Sequence, residues 1–235
     1  MSTTINGGTA LVTGANRGLG KAIVEALLEH GATTVYAGAR DPGTVEVNDP
    51  RVVPIRIDVT DRASIYEAAA LATDVDLLVN NAGIAGGGSV FGPQGIEGLR
   101  EQLETNAFGP LEVTRAFAPV LEANGGGTVV NVLSVLSWVT LPQTSSYSAS
   151  KAAAWSLTNA ARGELRAQGT HVVGVHVGYL DTDMAAHVDG PKTDPRDLAA
   201  QIVKAVDSGE DEVLGDELSR GVKSALSGPV THLNG

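Results

Sequence analysis

The chain has 235 residues, 43% of them hydrophobic and 18% charged, which is enough to bury the core of one domain of ordinary size. Sixteen lysines and arginines against 27 aspartates and glutamates give a net charge of −11, without a cluster of basic residues, which argues against nucleic acid or an anionic membrane as a partner. The lack of cysteine excludes disulfides, iron–sulfur clusters and thiolate catalysis. We predict a single domain over residues 1–235.

The sequence shows no sign of a membrane or export segment. No window approaches the roughly 18 consecutive apolar residues of a membrane-spanning helix. The first residues lack the basic start and the long apolar run of a secretory signal. We therefore expect a soluble protein of the cytoplasm.

Apolar runs alternate with segments of helical period along the chain. The runs, which are rich in β-branched residues, predict seven buried strands at Thr9–Val12, Thr33–Ala39, Arg51–Asp58, Asp76–Asn80, Gly127–Leu133, His171–Val177 and Glu212–Leu214. The intervening segments predict helices at Leu19–His30, Ala63–Ala70, Leu99–Glu122, Tyr147–Ala167, Pro195–Val206 and Leu218–Leu226. The alternation indicates an α/β fold with a parallel sheet covered by helices on both faces. Only about ten residues join the second strand to the third, so that crossover can be no more than a turn.

A glycine-rich segment follows the first predicted strand and leads directly into a helix. It reads Thr13-Gly14-Ala15-Asn16-Arg17-Gly18-Leu19-Gly20. Glycines allow a tight turn and a close approach of the backbone to a pyrophosphate, while the helix N-terminus offers free N–H groups and a positive dipole. The segment predicts a nucleotide-binding loop, with a glycine-rich turn that binds nothing as the alternative.

The second predicted strand ends where a dinucleotide-binding sheet meets the adenosine ribose. An acidic residue at this place would bind a free 2′-hydroxyl, but the chain has Ala39 followed by Arg40. The guanidiniums of Arg40 and Arg17 could together bind a 2′-phosphate, so we expect NADP(H) rather than NAD(H). The alternative is that Arg40 pairs with Asp41 at the surface.

Two polar segments follow the third and fourth predicted strands. Asp58 could accept a hydrogen bond from the adenine amino group, or it could cap the turn at Thr60–Arg62. The second segment reads Asn80-Asn81-Ala82-Gly83, in which small residues would let the backbone lie against a cofactor while the amides tie adjacent strand ends together. A plain Asx-turn is the alternative for this second segment.

Three polar residues with a characteristic spacing come later in the chain. Ser134 ends the fifth predicted strand, and Tyr147 and Lys151 follow it, four residues apart and therefore on one face of a helix. An ammonium beside a tyrosine is expected to lower the tyrosine pKa, so that Tyr147 can exchange a proton near neutrality. Ser134 can hydrogen-bond a substrate oxygen while Tyr147 protonates it. Ser137 offers a competing hydroxyl, but the interval to Tyr147 favours Ser134.

The predicted helix over Leu99–Glu122 contains Asn106, whose amide side chain makes it a poor helix former. Asn106 could hold a water molecule next to Lys151. Alternatively, it could mark a kink or an exposed polar position of the helix.

Taken together, the order and spacing of these residues resemble the short-chain dehydrogenase/reductase family from Thr9 to about Leu214. The shared motifs are the Thr-Gly-x-x-x-Gly-x-Gly loop, the Asn-Asn-Ala-Gly segment and an Asn-Ser-Tyr-Lys tetrad. The resemblance implies a Rossmann-like doubly wound sheet, a nicotinamide dinucleotide, and a catalytic tetrad made of Asn106, Ser134, Tyr147 and Lys151. The cofactor contacts that follow from the motifs and the resemblance are Gly14, Asn16, Arg17, Gly18, Leu19, Gly20, Arg40, Asp58, Val59, Asn81, Ala82, Gly83, Tyr147, Lys151, Gly178, Leu180 and Thr182.

The chain departs from the family after the sixth predicted strand, where the family usually has Pro-Gly followed by a threonine. Here the segment reads Val177-Gly178-Tyr179-Leu180-Asp181-Thr182. The glycine and the threonine are kept, so no hydrogen-bonding group is lost. Without the fixed φ of proline we expect a looser turn at Val177.

The sequence says less about the substrate. Only Asp183–Asp194 separate this segment from the next predicted helix, so we expect a short lid and an open pocket. Candidates to line the pocket are Leu136, Trp138, Tyr179 and Met184, each with ordinary packing as the alternative. They favour an apolar ketone or aldehyde. The five histidines show no metal-binding spacing, so we expect no metal.

These inferences favour an NADPH-dependent oxidoreductase that reduces a carbonyl group reversibly to an alcohol, with Tyr147 as general acid and base. A 3-oxoacyl thioester reductase is the alternative, although docking an acidic carrier needs a basic surface, for which Lys192 and Arg196 are slender evidence. A sensor that binds NADP(H) without turnover is a third hypothesis. A sensor, however, would not require Tyr147 or Lys151.

The family resemblance also implies a homodimer or homotetramer. Such assemblies commonly form through two long helices, here those predicted at Leu99–Glu122 and Tyr147–Ala167. Alanines in the second helix would permit close contact and Trp155 could anchor it. Packing of the helix against its own sheet explains the same alanines.

Overall fold

The computed structural model describes residues 5–229 and 231. The strands are β1 (Thr9–Thr13), β2 (Thr34–Ala39), β3 (Val52–Arg56), β4 (Leu77–Asn80), β5 (Gly127–Val132), β6 (Thr170–His176) and β7 (Glu212–Leu214). The helices are α1 (Gly18–Glu29), α2 (Arg62–Leu71), α3 (Gly95–Leu103), α4 (Gly109–Ala123), α5 (Ser145–Glu164), α6 (Pro195–Ser208) and α7 (Glu217–Ala225). No helix within these described ranges has the length and apolar character needed to cross a membrane. The domain predicted over residues 1–235 extends beyond the described residues at both ends.

The seven strands of the described residues form one parallel sheet in the order β3-β2-β1-β4-β5-β6-β7. The chain builds outward from β1 to β3, returns to place β4 beside β1, and then builds outward to β7. The strand order therefore reverses between β1 and β4, and ligands of doubly wound sheets bind in the crevice at such a reversal. The predicted α/β, Rossmann-like doubly wound fold is confirmed.

Helices cover both faces of the sheet. Ile23 of α1 and Ile202 of α6 are buried on one face together with Val12. Phe117 of α4 is buried on the opposite face together with Leu11. Neighbouring strand residues thus enter opposite cores, which is why the strands read as continuous apolar runs.

One predicted helix is divided in the structure. The sequence predicts a continuous helix over Leu99–Glu122, but α3 and α4 are separated by a π-helical turn at Glu104–Phe108. Asn106 lies in this turn, where both polar atoms of its amide bond to the backbone of Ile84. Pro110 follows in the first turn of α4, where it lacks the N–H that an uninterrupted helix would use. The prediction of one helix is wrong because the period of apolar residues does not report the bonds from Asn106 to Ile84.

The connection between β2 and β3 is as short as predicted. It contains a single turn of 3-10 helix at Pro42–Thr44. The carboxylate of Asp41 caps this turn by accepting a hydrogen bond from the N–H of Gly43 at 3.0 Å. The two strands pair directly in parallel despite the short crossover.

A buried histidine lies at the end of β6. His176 is 0% exposed, and its Nδ1 lies 3.1 Å from the carbonyl oxygen of Ser134. Because a carbonyl oxygen only accepts hydrogen bonds, Nδ1 must carry the proton. Its Nε2 lies 3.7 Å from Oε1 of Glu212, which is too far for a hydrogen bond. Burial lowers the pKa of His176 to about 4; Lys223 and Arg162 act in the same direction, whereas the Ser134 carbonyl and Glu212 oppose it.

We predict that His176 makes the fold sensitive to mild acid. The unfolded chain takes up a proton at an ordinary histidine pKa of 6.5, whereas the folded chain takes it up only at about 4. The contribution of the neutral ring is complete above pH 6.5 and is lost as the pH falls, so the free energy of unfolding should drop by ~3 kcal/mol down to pH 4. Denaturant unfolding of wild type and His176→Leu across this range should show the loss in wild type only.

The control for this prediction is the exposed His187. The variant His187→Leu should keep the pH dependence of wild type. If His176→Leu also keeps it, His176 does not set the acid sensitivity.

Candidate active site

The glycine-rich turn between β1 and α1 lies at the reversal of strand order. Gly14 and Gly18 have φ angles of 64° and 53°, in the left-handed region that favours glycine. A Cβ atom on Gly20 would lie 2.1 Å from the carbonyl oxygen of Gly14. The three glycines are therefore required by the shape of the turn, which folds back against the start of α1.

Hydrogen bonds join this turn to the end of β4. The hydroxyl of Thr13 accepts hydrogen bonds from the N–H groups of Asn81 and Ala82, both at 3.0 Å, and donates to the carbonyl of Val79. The side-chain amide of Asn81 donates to the carbonyls of Thr13 and Gly14 at 2.9 and 3.2 Å. These contacts join the ends of β1 and β4 into one continuous edge, which we call the rim.

The rim fits the phosphates of a dinucleotide. The N-cap residue of α1 is Arg17, whose side chain makes no capping hydrogen bond, so the N–H groups of the first helical turn remain available to an anion. Thr182 crosses over from the segment after β6, and its methyl group would lie 3.3 Å from a Cβ atom on Gly18. Side chains in place of the glycines would fill this cradle, which matches the close backbone approach that a pyrophosphate requires.

The residues expected at the adenosine end are exposed. Arg40 is exposed directly after β2, and within the described residues it has no ion pair with Asp41, which caps the following turn. Arg17 forms an exposed ion pair with Asp183 at 3.7 Å. Both guanidiniums are thus accessible to a further anion.

Asn16 and Asp58 are engaged in contacts within the chain. The amide of Asn16 donates to the hydroxyl of Thr44 at 3.1 Å. Asp58 accepts hydrogen bonds from the N–H and the hydroxyl of Thr60 at 3.0 and 2.8 Å, so it caps the turn. Val59 is 9% exposed and belongs to the core on the α4 face.

Ser134 begins a single 3-10 turn at Val135–Ser137 that follows β5. Its hydroxyl oxygen accepts a hydrogen bond from the N–H of Leu136 at 3.1 Å, and its own N–H donates to the hydroxyl of Ser137 at 3.3 Å. Both serine oxygens therefore help to hold the turn, and each hydroxyl keeps a proton that it can donate outside it. Ser134 differs from Ser137 in that its side chain acts on the hydroxyl of Tyr147, which favours Ser134 as the partner of that tyrosine.

Tyr147 and Lys151 lie one turn apart on α5. The side chain of Ser134 lies close enough to the hydroxyl of Tyr147 to act against the rise of its pKa. The ammonium of Lys151 lies 5.8 Å from the centre of the Tyr147 ring and donates a hydrogen bond to the carbonyl of Val132 at 2.9 Å. The structure thus brings Ser134, Tyr147 and Lys151 together at the carboxyl end of β5.

Burial is the largest effect on the pKa values of Tyr147 and Lys151. Burial raises the pKa of Tyr147 to about 12, although the side chain of Ser134 acts against it. Burial lowers the pKa of Lys151 to about 8. The expectation that Lys151 would bring the pKa of Tyr147 below its ordinary value is therefore wrong in this structure, because the loss of water around the phenolate is the largest effect and Lys151 is not among the groups that oppose it.

Asn106 is buried in the π-helical turn and is fully hydrogen-bonded. Its amide oxygen accepts from the N–H of Ile84 at 2.9 Å, and its amide nitrogen donates to the carbonyl of Ile84 at 3.0 Å. The same nitrogen also lies 2.8 Å from Oε1 of Gln102 and 3.1 Å from the hydroxyl of Ser150. Asn106 therefore fixes the segment that follows β4, and the exposed-position alternative is excluded by its 1% exposure.

Gly83 explains how three parts of the site meet. A Cβ atom on Gly83 would lie 3.0 Å from the amide oxygen of Asn106 and 3.9 Å from the ammonium of Lys151. Sequence reasoning missed Gln102 and Ser150, which are 1% and 0% exposed and hold Asn106 in place. The sequence could have indicated them, because Gln102 lies one helical turn before Asn106 and Ser150 lies one helical turn after Tyr147.

The turn after β6 is held firmly without a proline. The carbonyl of Val177 accepts from the N–H of Val135 at 2.9 Å, and the N–H of Gly178 donates to Oδ2 of Asp216 at 2.7 Å. The other oxygen of Asp216 caps α7. These bonds restrain the turn at the place where the family has a proline ring, and the predicted looseness stays a prediction. Leu180 then forms a bridge to Thr193.

The side chains predicted to line a substrate pocket are Leu136, Trp138, Tyr179 and Met184. Tyr179 and Met184 are 39% and 49% exposed on the segment after β6. Trp138 instead packs inside the chain, stacked on His176 with ring centroids 3.8 Å apart and edge-on to Trp155 at 6.3 Å. Trp138 thus has the packing role that the sequence left open.

Comparison with known proteins identifies the family. The short chain dehydrogenase pattern matches residues 8–192, which include the glycine-rich turn, the tetrad and Thr182. This chain belongs to the short chain dehydrogenase family.

Individual relatives agree with this assignment. The Ketoacyl reductase HetN of Nostoc sp. is 32% identical over an alignment of 229 residues, which covers 90% of this chain and 79% of that protein. A short chain dehydrogenase from Burkholderia cenocepacia, solved in complex with NADP, is 41% identical, covers 98% of this chain and 97% of its own, and superposes with a TM-score of 0.94. A family member from Burkholderia phymatum in complex with NAD has a TM-score of 0.84 at 22% identity, covering 95% of this chain and 93% of its own, a likeness of fold alone.

We predict that the substitution Gly20→Ala weakens dinucleotide binding. The added methyl group must push the carbonyl of Gly14 out of the turn, and overpacking of this kind corresponds to roughly a tenfold or greater loss of affinity. Titration of the nicotinamide fluorescence measures the change. The matched control is Gly163→Ala on α5, where a Cβ atom meets nothing within 4 Å and affinity should not change. Equal affinities of the two variants would contradict the role given to the turn.

Proposed function

We propose that this chain is an NADPH-dependent oxidoreductase that reduces a ketone or aldehyde to an alcohol and catalyses the reverse reaction. The observation that carries the proposal is that Ser134, Tyr147 and Lys151 meet at the carboxyl end of β5, where the side chain of Ser134 acts on the hydroxyl of Tyr147 and Lys151 lies one helical turn away. Two adjoining hydroxyls can contact one carbonyl oxygen together. They stand beside a rim whose glycines fit a dinucleotide.

The side chains divide the chemistry among them. A bound nicotinamide dinucleotide supplies the hydride. Ser134 uses its oxygen to accept the N–H of Leu136 and so directs its proton toward the substrate oxygen. Tyr147, with a pKa of about 12, is protonated at neutral pH and donates its proton to the oxygen that becomes the alcohol. Lys151 places its ammonium beside the tyrosine ring, and Asn106 fixes the segment after β4.

The preference for NADP(H) rests on two exposed arginines. Arg40 at the end of β2 and Arg17 on the glycine-rich turn present guanidiniums suited to a 2′-phosphate. The ion pair of Arg17 with Asp183 is exposed, so exchanging it for a phosphate costs little. The 41% identical relative bound to NADP supports the same preference.

The proposed substrate is uncharged and largely apolar. Segments 84–94 and 135–146, which lead to and from the tetrad, contain no charged residue. The segment after β6 exposes Tyr179 and Met184 and carries the acidic residues Asp181, Asp183 and Asp189. The acidic residues of the segment after β6 repel anionic substrates, whereas its exposed apolar side chains favour a neutral substrate.

A 3-oxoacyl thioester reductase is the second candidate function. The 32% identity with a protein named a ketoacyl reductase favours it. Delivery on an acidic carrier protein would require a basic surface, but Arg196 is paired with Asp194 at 3.1 Å, which leaves Lys192 as the basic side chain of that segment. We therefore place a free thioester or ketone ahead of a carrier-bound one. An NADP(H) sensor is disfavoured because it would not require the hydroxyls of Ser134 and Tyr147.

We further propose a homodimer or homotetramer located in the cytoplasm. The partly exposed side chains of Leu111 on α4 and Leu157 on α5 line a groove that a second copy could cover. Trp155, suggested by the sequence as an anchor, packs against Trp138 in the same chain. A contact between copies would thus rest on the smaller side chains of the two helices. The lack of cysteine fits a reducing compartment.

The proposed function is tested by following the absorbance of NADPH, and separately of NADH, with a panel of carbonyl compounds. The panel contains apolar ketones, aldehydes, free 3-oxoacyl thioesters and the same acyl groups on a carrier protein. We expect turnover of an uncharged carbonyl with NADPH. Faster turnover of the carrier-bound thioester would favour the second candidate. Cofactor binding without turnover of any carbonyl would contradict both and support the sensor.

We predict that Tyr147→Phe lowers kcat by about 100-fold or more, because the variant has no proton to donate. The affinity for NADPH, measured by fluorescence titration, should change by less than about twofold, a difference well under 1 kcal/mol. The matched control is Tyr66→Phe, which removes a hydroxyl from an exposed tyrosine of α2 that has no role in the site and should leave kcat unchanged. An active Tyr147→Phe would exclude Tyr147 as the general acid.

We predict that Arg40→Glu shifts the cofactor preference toward NADH, by roughly tenfold or more in the ratio of kcat/KM values. The carboxylate would repel a 2′-phosphate and accept a hydrogen bond from a free 2′-hydroxyl. Arg166→Glu makes the same change of charge at an exposed position before β6 and should leave the ratio unchanged. An unchanged ratio in Arg40→Glu would show that Arg40 does not set the cofactor preference and is only a surface charge.

A further inference from the structure

We propose that His176 is a positioning residue for the reductase reaction, because it holds the peptide group that orients the hydroxyl of Ser134. This proposal rests on the proposed function, in which Ser134 binds the substrate oxygen. His176 is fully buried and has no path to the substrate, so its role is exerted through Ser134.

The peptide group between Ser134 and Val135 is held at both ends by two adjoining residues, the last residue of β6 and the residue directly after it. Its N–H donates to the carbonyl of Val177 at 2.9 Å. Its carbonyl oxygen accepts the hydrogen bond from Nδ1 of His176 at 3.1 Å. A peptide plane held at both ends cannot rotate, and the Cα–Cβ bond of Ser134, attached to it, keeps one direction.

The other bonds of Ser134 do not provide this restraint. Its hydroxyl oxygen is bonded to the N–H of Leu136, and its N–H to the hydroxyl of Ser137. Both partners lie in the same short turn and would move with the serine. The bond from His176 instead ties the turn to the sheet.

The imidazole ring is itself fixed by the turn that it holds. Trp138, the C-cap residue of the turn, stacks on the ring with an interplanar angle of 18° and a centroid distance of 3.8 Å. The ammonium of Lys223 lies 5.0 Å from the centre of the Trp138 ring and pairs with Glu212 at 2.7 Å. One side chain of β6 thus contacts the turn at Ser134, where it begins, and at Trp138, where it ends.

The histidine lowers the stability of the folded state in a way that a purely structural residue would not. Its Nε2 is buried without a hydrogen-bond partner, and such an atom weakens the folded state. A leucine would fill comparable space without leaving a buried polar atom unpaired. What the leucine would lack is the N–H donated to Ser134, and this donor is the feature that sets histidine apart here.

The test uses a matched pair of variants, His176→Asn and His176→Gln. The amide nitrogen of asparagine can occupy the place of Nδ1 and donate to Ser134, whereas that of glutamine reaches the place of Nε2 and cannot. We expect His176→Gln to lower kcat by roughly tenfold or more, since a small displacement of a reacting group is costly. His176→Asn should retain at least about a third of wild-type kcat, a difference of under 1 kcal/mol.

Two further readouts separate positioning from a general loss of structure. The KM for NADPH and the unfolding midpoint of both variants are measured beside kcat, and we expect the loss in His176→Gln to appear in kcat with the KM unchanged. Nitrogen NMR of labelled wild type should show His176 as the neutral tautomer protonated at Nδ1. Equal kcat in the two variants of an active enzyme, or a proton on Nε2, overturns the role of His176. If wild type reduces no carbonyl, the proposed function fails first, and the positioning role fails with it.

Discussion

The shape of the site depends on one constraint: polar groups at the ends of buried strands must form hydrogen bonds with one another. β1 and β4 are covered on both faces, so water cannot serve the groups where they end. The hydroxyl of Thr13 meets this need by accepting two N–H groups from the segment after β4, and the amide of Asn81 returns two bonds to the glycine-rich turn. The crevice between the two strands is therefore shaped before any ligand enters it.

Much of this architecture could be predicted because the physical signal is local. β1 was expected at Thr9–Val12 and is found at Thr9–Thr13, since a strand buried on both faces must be apolar throughout. α6 begins at Pro195, as predicted, behind the capping carboxylate of Asp194. The division between α3 and α4 had only a weak local signal, the poor helix former Asn106, because it depends on bonds from Asn106 to Ile84, 22 residues away in sequence.

Within the candidate site, too, features with a local sequence signal could be predicted and features that depend on distant residues could not. The spacing of Ser134, Tyr147 and Lys151 identified them, and the structure brings them together. Their protonation was not predictable, because the loss of water around Tyr147 and Lys151 appears only in three dimensions. Asp216, which restrains the turn where the family has a proline, comes from beyond β7 and carries no mark in the sequence of the turn it holds.

The buried ammonium of Lys151 has a consequence for how well this protein can be stabilised. Its pKa of about 8 lies below the ordinary 10.5, so the folded chain is penalised by ~3 kcal/mol at neutral pH, and the penalty fades only as the solution becomes alkaline. An uncharged side chain at this place would make a more robust protein. If Lys151 serves the proposed reaction, this one position cannot be changed for stability, and improvements must be found at other positions.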